Sequence, residues 1–352
     1  MSAPASLSRP PAAPARDGVP ARASLVVVNF HYVRPRYDEP YPGIHGITPA
    51  QLGAQLRALG VAGTFVSGAD VRDAVSGRRA LPERAILITF DDGLREQFEH
   101  ALPVLDALGV PALLFVNTAP VAEHTVSAVH RIHLLRAHVA PDRFLAMLRV
   151  HADARGVSLR VESNDAAAAA QYRYDEPQVA RLKFLLNFQL EPRERDALIA
   201  DCFDEYFGAG EGALSERLYM DVEQLRVLAA RGMLGTHGHE HLPLGLLDSD
   251  AQRRCVRESL RCLEAWTGAA PFALSYPYGS LPACAWRTGE IAAEEGIELA
   301  FTMERAGNFG LERPMHLARF DCNDVPGGKH CALEPADLFD TVAPARWHRR
   351  EA

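Results

Sequence analysis

Residues 86–97 read ILITFDDGLREQ. Ile86 to Phe90 form an apolar, β-branched-rich run that fits a strand buried in a core. The run stops at two adjacent carboxylates, Asp91 and Asp92, followed by Gly93. Like charges repel at such a position and are costly to desolvate, so something must offset them. A bound metal ion is one answer. The plain alternative is that the aspartates cap a helix N-terminus, where backbone N–H groups and the helix dipole favour negative charge.

Outward from this point the pattern alternates. RAILITF is a strand, EQFEHALPVLDALG a helix stopped by Gly109, and PALLFVN a strand; upstream, ASLVVVNFHYV is a strand and TPAQLGAQLRALG a helix framed by Thr48, Pro49 and Gly60. Between residues 121 and 218 the alternation lapses into two long amphipathic stretches, HRIHLLRAHVAPDRFLAMLRV and QVARLKFLLNFQLEPRERDALIADCFDEYF, around the low-complexity DAAAAAQ. It resumes with MDVEQLRVLAARGML, DAQRRCVRESLRCLEAWTG, FALSYPYG, WRTGEIAAEEG, ELAFTM and HLARFD. About seven strand candidates alternating with helices imply an α/β fold on a parallel sheet. The expectation is one barrel over residues 23–352 with a helical insertion over about 121–218, leaving the catalytic end by way of ALLFVN and so able to form a lid. The Pro- and Ala-rich residues 1–22 read as a disordered tail.

At 352 residues, 48% hydrophobic, the chain can bury a large core, and a formal charge of −8 argues against nucleic acid or an anionic membrane as a partner. No apolar run approaches the ~20 residues of a membrane span, and SLVVVNF falls short of the ~7–15-residue core of a secretory signal, so the expected location is the cytoplasm. Six cysteines without CxxC spacing fit reduced thiols rather than a disulfide framework.

The candidate chemistry gathers at the carboxyl ends of strands: Asp91 and Asp92, His31, the stretch GTHGHEHLPL with His237, His239 and His241, and the stretch Tyr276 to Gly279. An i, i+4 histidine pair with one carboxylate leaves a coordination position open, as hydrolytic metal sites require. A second carboxylate beside the ion can then accept the proton of an attacking water. His130 and His133 in VHRIH, and Tyr172, Tyr174 and Asp175 in YRYDEP, read as helix-face and loop residues.

TFDDG and the H-x-x-x-H element, with weaker support from YPYG, resemble the NodB-homology polysaccharide deacetylases, specifically a branch with permuted motifs. The resemblance covers roughly residues 24–120 and 218–322. It implies a distorted (β/α)7-type barrel and a metal-dependent hydrolase that removes an N-acetyl or other N-acyl group from an amino sugar in a glycan or glycan precursor. It also implies roles: Asp91 as catalytic base, and Asp92, His237 and His241 as ligands of one divalent cation, zinc first, with cobalt, nickel, manganese and iron as alternatives. The backbone N–H of Tyr278 would be an oxyanion donor, and His239 would lie off the metal. Where the family usually carries an arginine two residues before the proline of its third motif, this chain has Ser275. Arg319 is the candidate replacement, the alternative being a surface pair with Asp321. The late histidine that usually serves as general acid is replaced in permuted branches by one on an early strand, here His31, with His316 as runner-up. Hydrolysis of a small non-sugar amide or a formamido sugar, and a non-catalytic glycan-binding relative, are the competing readings; oligomeric state is open.

Overall fold

The structure, a computed structural model, describes residues 22–159, 165–171, 176–329, 331 and 333–345. The expected tail lies outside these apart from Arg22, as do Tyr172, Tyr174 and Asp175. Seven parallel strands carry the fold: β1 (Leu25–Phe30), β2 (Ala85–Phe90), β3 (Ala112–Val116), β4 (Leu234–Thr236), β5 (Ala273–Ser275), β6 (Leu299–Phe301) and β7 (Phe320–Asp321). They are ordered β7-β1-β2-β3-β4-β5-β6, and a short strand at Thr64–Phe65 adds to β2. The two ends of the path meet through a single parallel bridge between Phe301 and Leu317. The sheet is therefore a curled, distorted barrel closed by one bridge rather than a full ladder.

Strand periodicity sorts the side chains. Val26, Val28, Phe30, Ile86, Ile88, Phe90, Leu114 and Val116 pack outward under the helices, whereas Leu25, Val27, Leu87, Leu113, Phe115, Leu299 and Phe301 fill a second cluster across the sheet. Continuing the second parity along each strand leads to Asn29, Thr89, Asp91, His237 and Ser275, all buried, and buried Arg319 joins them from the residue just before β7. The barrel filling thus turns from apolar to polar at the carboxyl ends of the strands, where such barrels hold their reactive groups.

Around the sheet lie α1 (Pro49–Ala62) and α2 (Leu102–Leu108). A Thr48–Gln51 capping box starts α1, which passes Gly60 and ends at Gly63. A π-helical turn, Gln97–Ala101, leads into α2, which ends at left-handed Gly109, φ 64°. The excursion between β3 and β4 holds α3 (Ala128–His138), α4 (Pro141–Arg155), short helices at Asp165–Gln171 and Pro177–Phe184, α5 (Pro192–Phe207) and α6 (Glu211–Leu218). Each long amphipathic stretch is broken in two, before Pro141 and before Pro192, because the residue preceding proline is pushed out of the helical region while proline itself starts a helix well. The excursion has its own apolar core around Leu135, Phe144, Leu198 and Phe203, shared with Tyr32, Ile44 and Leu94 from barrel loops. After it come α7 (Val222–Ala230), α8 (Ser249–Thr267) and α9 (Trp286–Glu294). Two strand readings shift: the strand that follows the helix of MDVEQLRVLAARGML is Leu234–Thr236, starting at the last residue of that stretch, and only Phe320–Asp321 of HLARFD is strand, since Pro314–His316 forms a 3-10 turn. Among the described residues, no helix is long and apolar enough to cross a membrane.

Candidate active site

Directly after β2 the chain turns sharply: Asp92 has φ 79° and Gly93 φ 65°. Gly93 has a second reason to be glycine, because a Cβ there would come within 2.9 Å of Val116 Cγ1. His241 at φ 58° and Tyr278 at φ 62° share this left-handed region, so three of the four such non-glycine residues among those described lie at the expected site. Each costs about 1–3 kcal/mol unless its surroundings hold it there. Asp91 and Asp92 are both almost completely buried, and neither serves as a helix cap.

Asp91 is clamped by Arg319. The guanidinium donates Nη1 to Asp91 Oδ1 at 2.9 Å and Nη2 to Oδ2 at 2.8 Å, while Asn29 Nδ2 donates to Oδ2 at 2.9 Å. Arg319 is fully buried, and its remaining bonds go to Thr302 O, Asn29 Oδ1, Thr89 Oγ1 and Ser275 Oγ. It does not face Asp321, which caps its own 3-10 turn. The guanidinium therefore reaches the Ser275 hydroxyl, where the deacetylase motif would have its arginine, from the strand at the far end of the sheet path. Burial pushes the Asp91 carboxyl up, but the charge of Arg319 and its hydrogen bonds outweigh this and hold it at about 2.

Asp92 faces the histidines. Its Oδ1 lies 3.3 Å from His241 Nε2 and 3.6 Å from His237 Nε2, and no hydrogen-bond partner satisfies this buried oxygen. Ligand atoms of Asp92, His237 and His241 all fall within 4.8 Å of one another. His237 Nδ1 is 2.7 Å from Ser275 O, which places the proton on that nitrogen and turns the Nε2 lone pair toward Asp92. Burial pushes the His237 imidazole down to about 4, so it is neutral near pH 7, as a metal ligand must be. Two imidazole nitrogens and one carboxylate oxygen, the latter a buried acceptor with no other partner, fit a divalent cation of the borderline kind.

The remaining candidates occupy different places. His31 is half-buried, and its carbonyl accepts from Gln97 Nε2 at 3.0 Å; the same amide donates to Asp91 O at 2.6 Å, tying the two loops together. His316 is stacked on Trp286, ring centroids 4.9 Å apart, and packs beside Gly289 of α9. His239 Nδ1 bonds Thr118 Oγ1 at 2.8 Å, off the metal group. Tyr278 lays its ring against the edge of His241, centroids 5.0 Å apart, and its side chain meets Arg195 of α5.

The sequence pattern makes His130 an ordinary helix-face histidine, and the structure gives it a different place. His130 of α3 is fully buried, with Nε2 3.1 Å from Asp92 Oδ2 and Nδ1 2.6 Å from Tyr219 Oη. The available signal was its place on the buried stripe His130, Leu134, Ala137, where an apolar residue would ordinarily stand.

Residues 78–149 match the polysaccharide deacetylase family model. A 48-residue segment is 42% identical to the poly-beta-1,6-N-acetyl-D-glucosamine N-deacetylase of Escherichia coli K12, covering 14% of this chain and only 7% of that protein. The fold is similar to that of the Streptococcus pyogenes deacetylase PplD in complex with acetate, with a TM-score of 0.54 at 15% identity over 92% of this chain and 100% of that one. The segment that matches the polysaccharide deacetylase family model includes the DDG turn, and the barrel around it is similar in fold to that of a deacetylase.

Proposed function

We propose that this protein is a metal-dependent amide hydrolase that removes the N-acetyl group of an amino sugar in a glycan or glycan precursor, with Asp92, His237 and His241 holding one divalent cation, zinc first. One observation carries the reading: a three-donor metal group whose buried carboxylate oxygen has no other partner stands directly beside a second carboxylate fixed by a buried arginine. A cation in that group supplies Lewis-acid polarisation and makes water more acidic. Asp91 takes the proton of the attacking water. Its low proton affinity keeps it ionised and lets the proton move on. His31, held next to Asp91 through the Gln97 amide, delivers a proton to the departing amine, which leaves poorly as an anion. The backbone N–H of Tyr278 is the donor proposed for the developing oxyanion. His316 is less suited to the acid's role because its ring is sandwiched against α9.

The test is acetate release from N-acetylglucosamine oligomers by protein loaded with zinc, cobalt or nickel, and by the chelated protein. Metal-dependent release is the expected outcome. Release from small formamides or non-sugar amides alone would transfer the reading to the second substrate class, and oligomer binding without release from any substrate would favour the non-catalytic one.

A further inference from the structure

Asp92 uses only one of its oxygens toward His237 and His241. Its Oδ2 points the other way, to His130 Nε2 at 3.1 Å. We infer that His130 is a positioning residue for the metal centre, so that the helical excursion between β3 and β4 is a structural part of that centre as well as a cover for it. The inference rests on the reading of Asp92 as a metal ligand and adds a residue from outside the motifs that suggest it.

Hydrogen-bond inventory fixes the direction. Asp92 as a carboxylate only accepts, so His130 Nε2 must be the donor. In a neutral imidazole Nδ1 is then the acceptor. The groups beside Nδ1 are hydroxyls able to donate, Tyr219 Oη at 2.6 Å and Ser127 Oγ at 2.9 Å. Tyr219 is fixed in turn, accepting from the Ser127 N–H at 3.1 Å. These residues bracket the excursion: Ser127 precedes α3, and Tyr219 follows α6. The far end is also sewn to the DDG turn, with Tyr219 bridging Leu94 and the Met220 N–H donating to Gly93 O at 3.0 Å. The ordering of six helices thereby converges on one carboxylate oxygen, at a residue whose φ of 79° makes its orientation costly to hold by local structure alone. A carboxylate whose outer oxygen accepts from a fixed donor presents its inner oxygen in one direction, and loss of such outer partners typically lowers metal affinity 10–100-fold.

The experiment titrates the metal-free full chain with zinc or cobalt alone and compares wild type, His130→Ala, His130→Gln, Tyr219→Phe and His241→Ala. Circular dichroism of the metal-free variants checks the fold. His130→Ala should bind one ion about 10–100-fold more weakly, with a cobalt absorption spectrum still of the wild-type nitrogen-and-oxygen kind. His130→Gln, which keeps an N–H donor, should recover most of that loss. Tyr219→Phe should fall between wild type and His130→Ala. His241→Ala should lose binding. Wild-type affinity in His130→Ala, alongside a metal-deficient His241→Ala, overturns the positioning role while leaving the metal centre standing. His130→Ala as metal-deficient as His241→Ala, with an altered cobalt spectrum, overturns it in favour of direct ligation. If His241→Ala binds as wild type does, the metal centre itself is misassigned and the inference goes with it. Should His130→Ala be misfolded, the His130→Gln and Tyr219→Phe affinities carry the same decision, and wild-type affinity in Tyr219→Phe with loss in His130→Gln counts against the inference.

Discussion

Asp91 and Asp92 are neighbours in the chain, yet opposite parts of the molecule hold them. Asp91 belongs to the barrel: its partners Arg319, just before β7, and Asn29, and through Arg319 also Thr89 and Ser275, all stand on or next to strands of the sheet. Asp92 belongs to the excursion: its outer oxygen is held by a histidine, itself held by a tyrosine and a serine, all on or beside helices. The first anchor is a buried ion pair and the second a chain of hydrogen bonds ending in neutral groups. An ion pair fixes charge, which keeps a base ionised. A hydrogen-bond chain fixes direction, which suits a metal ligand.

The widest split between the two anchors should appear in catalysis. Asp91→Asn leaves Asp92, His237 and His241 intact, so bound metal should change little while kcat falls about 10²–10⁴-fold, the usual worth of a general base. Asp92→Asn should instead lower metal occupancy, because a neutral amide is a poorer ligand. Metal stoichiometry measured beside kcat decides it; a metal-free Asp91→Asn protein with a metal-replete Asp92→Asn protein would reverse the assignment.

Next in size is the stability of the barrel anchor. Removing one partner of a fully buried pair strands the other charge, at about 3–5 kcal/mol. Arg319→Ala should lose that much in urea unfolding, and Arg319→Lys should recover only part, since one ammonium cannot span the bonds that the planar fork makes to Asp91 and Ser275. A loss below about 1 kcal/mol for Arg319→Ala would mean that the barrel does not depend on this pair.

Smaller still is the seam between Asp91 and His31. The Gln97 amide donates to both carbonyls, but only the bond to the Asp91 carbonyl is fully buried, so Gln97→Leu should cost about 1–3 kcal/mol, the worth of one buried acceptor left unsatisfied. Its unfolding midpoint should fall while metal affinity holds. A drop in metal affinity equal to that of His130→Ala would erase the distinction between the anchors.

What could be read without a structure follows the same division. The continuous apolar run of β2 and the abrupt DDG are enough to bring Asp91 and Asp92 forward, and the H-x-x-x-H spacing supplies His237 and His241, because strand ends and tight turns are local features. Arg319 could be offered only by exclusion, since its partner is 228 residues away and only barrel closure brings them together. His130 is not legible in the sequence, because a helix periodicity records that a face is buried and says nothing of what it is buried against. The breaks before Pro141 and Pro192 were legible in principle, the prolines standing inside stretches otherwise periodic enough to mask them.

The smallest effect separates the anchors by pH. Half-buried His133 of α3, whose Nδ1 is 3.0 Å from Tyr32 Oη, is pushed down to about 3 by burial, with the neighbouring His130 adding to the shift. An unfolded histidine titrates near 6.5, so between about pH 6.5 and 3 the unfolded chain binds the extra proton and stability rises with pH. This contribution is fully present above about pH 6.5 and is lost progressively as pH falls toward 3. Asp91 runs over a different window: depressed to about 2 against about 3.9 unfolded, its contribution persists above pH 4 and is lost only as pH falls toward 2. From pH 7 to pH 6 the excursion should therefore weaken and the Asp91 anchor should not. One titrating histidine of this kind accounts for about 0.7 kcal/mol over that step. His237 titrates too, so the comparison is metal-free wild type against metal-free His133→Gln, which keeps an acceptor for Tyr32 but cannot titrate. The variant should lose about 0.7 kcal/mol less than wild type in urea unfolding between the two pH values, and equal losses would show that His133 takes up its proton in the folded protein as readily as in the unfolded one.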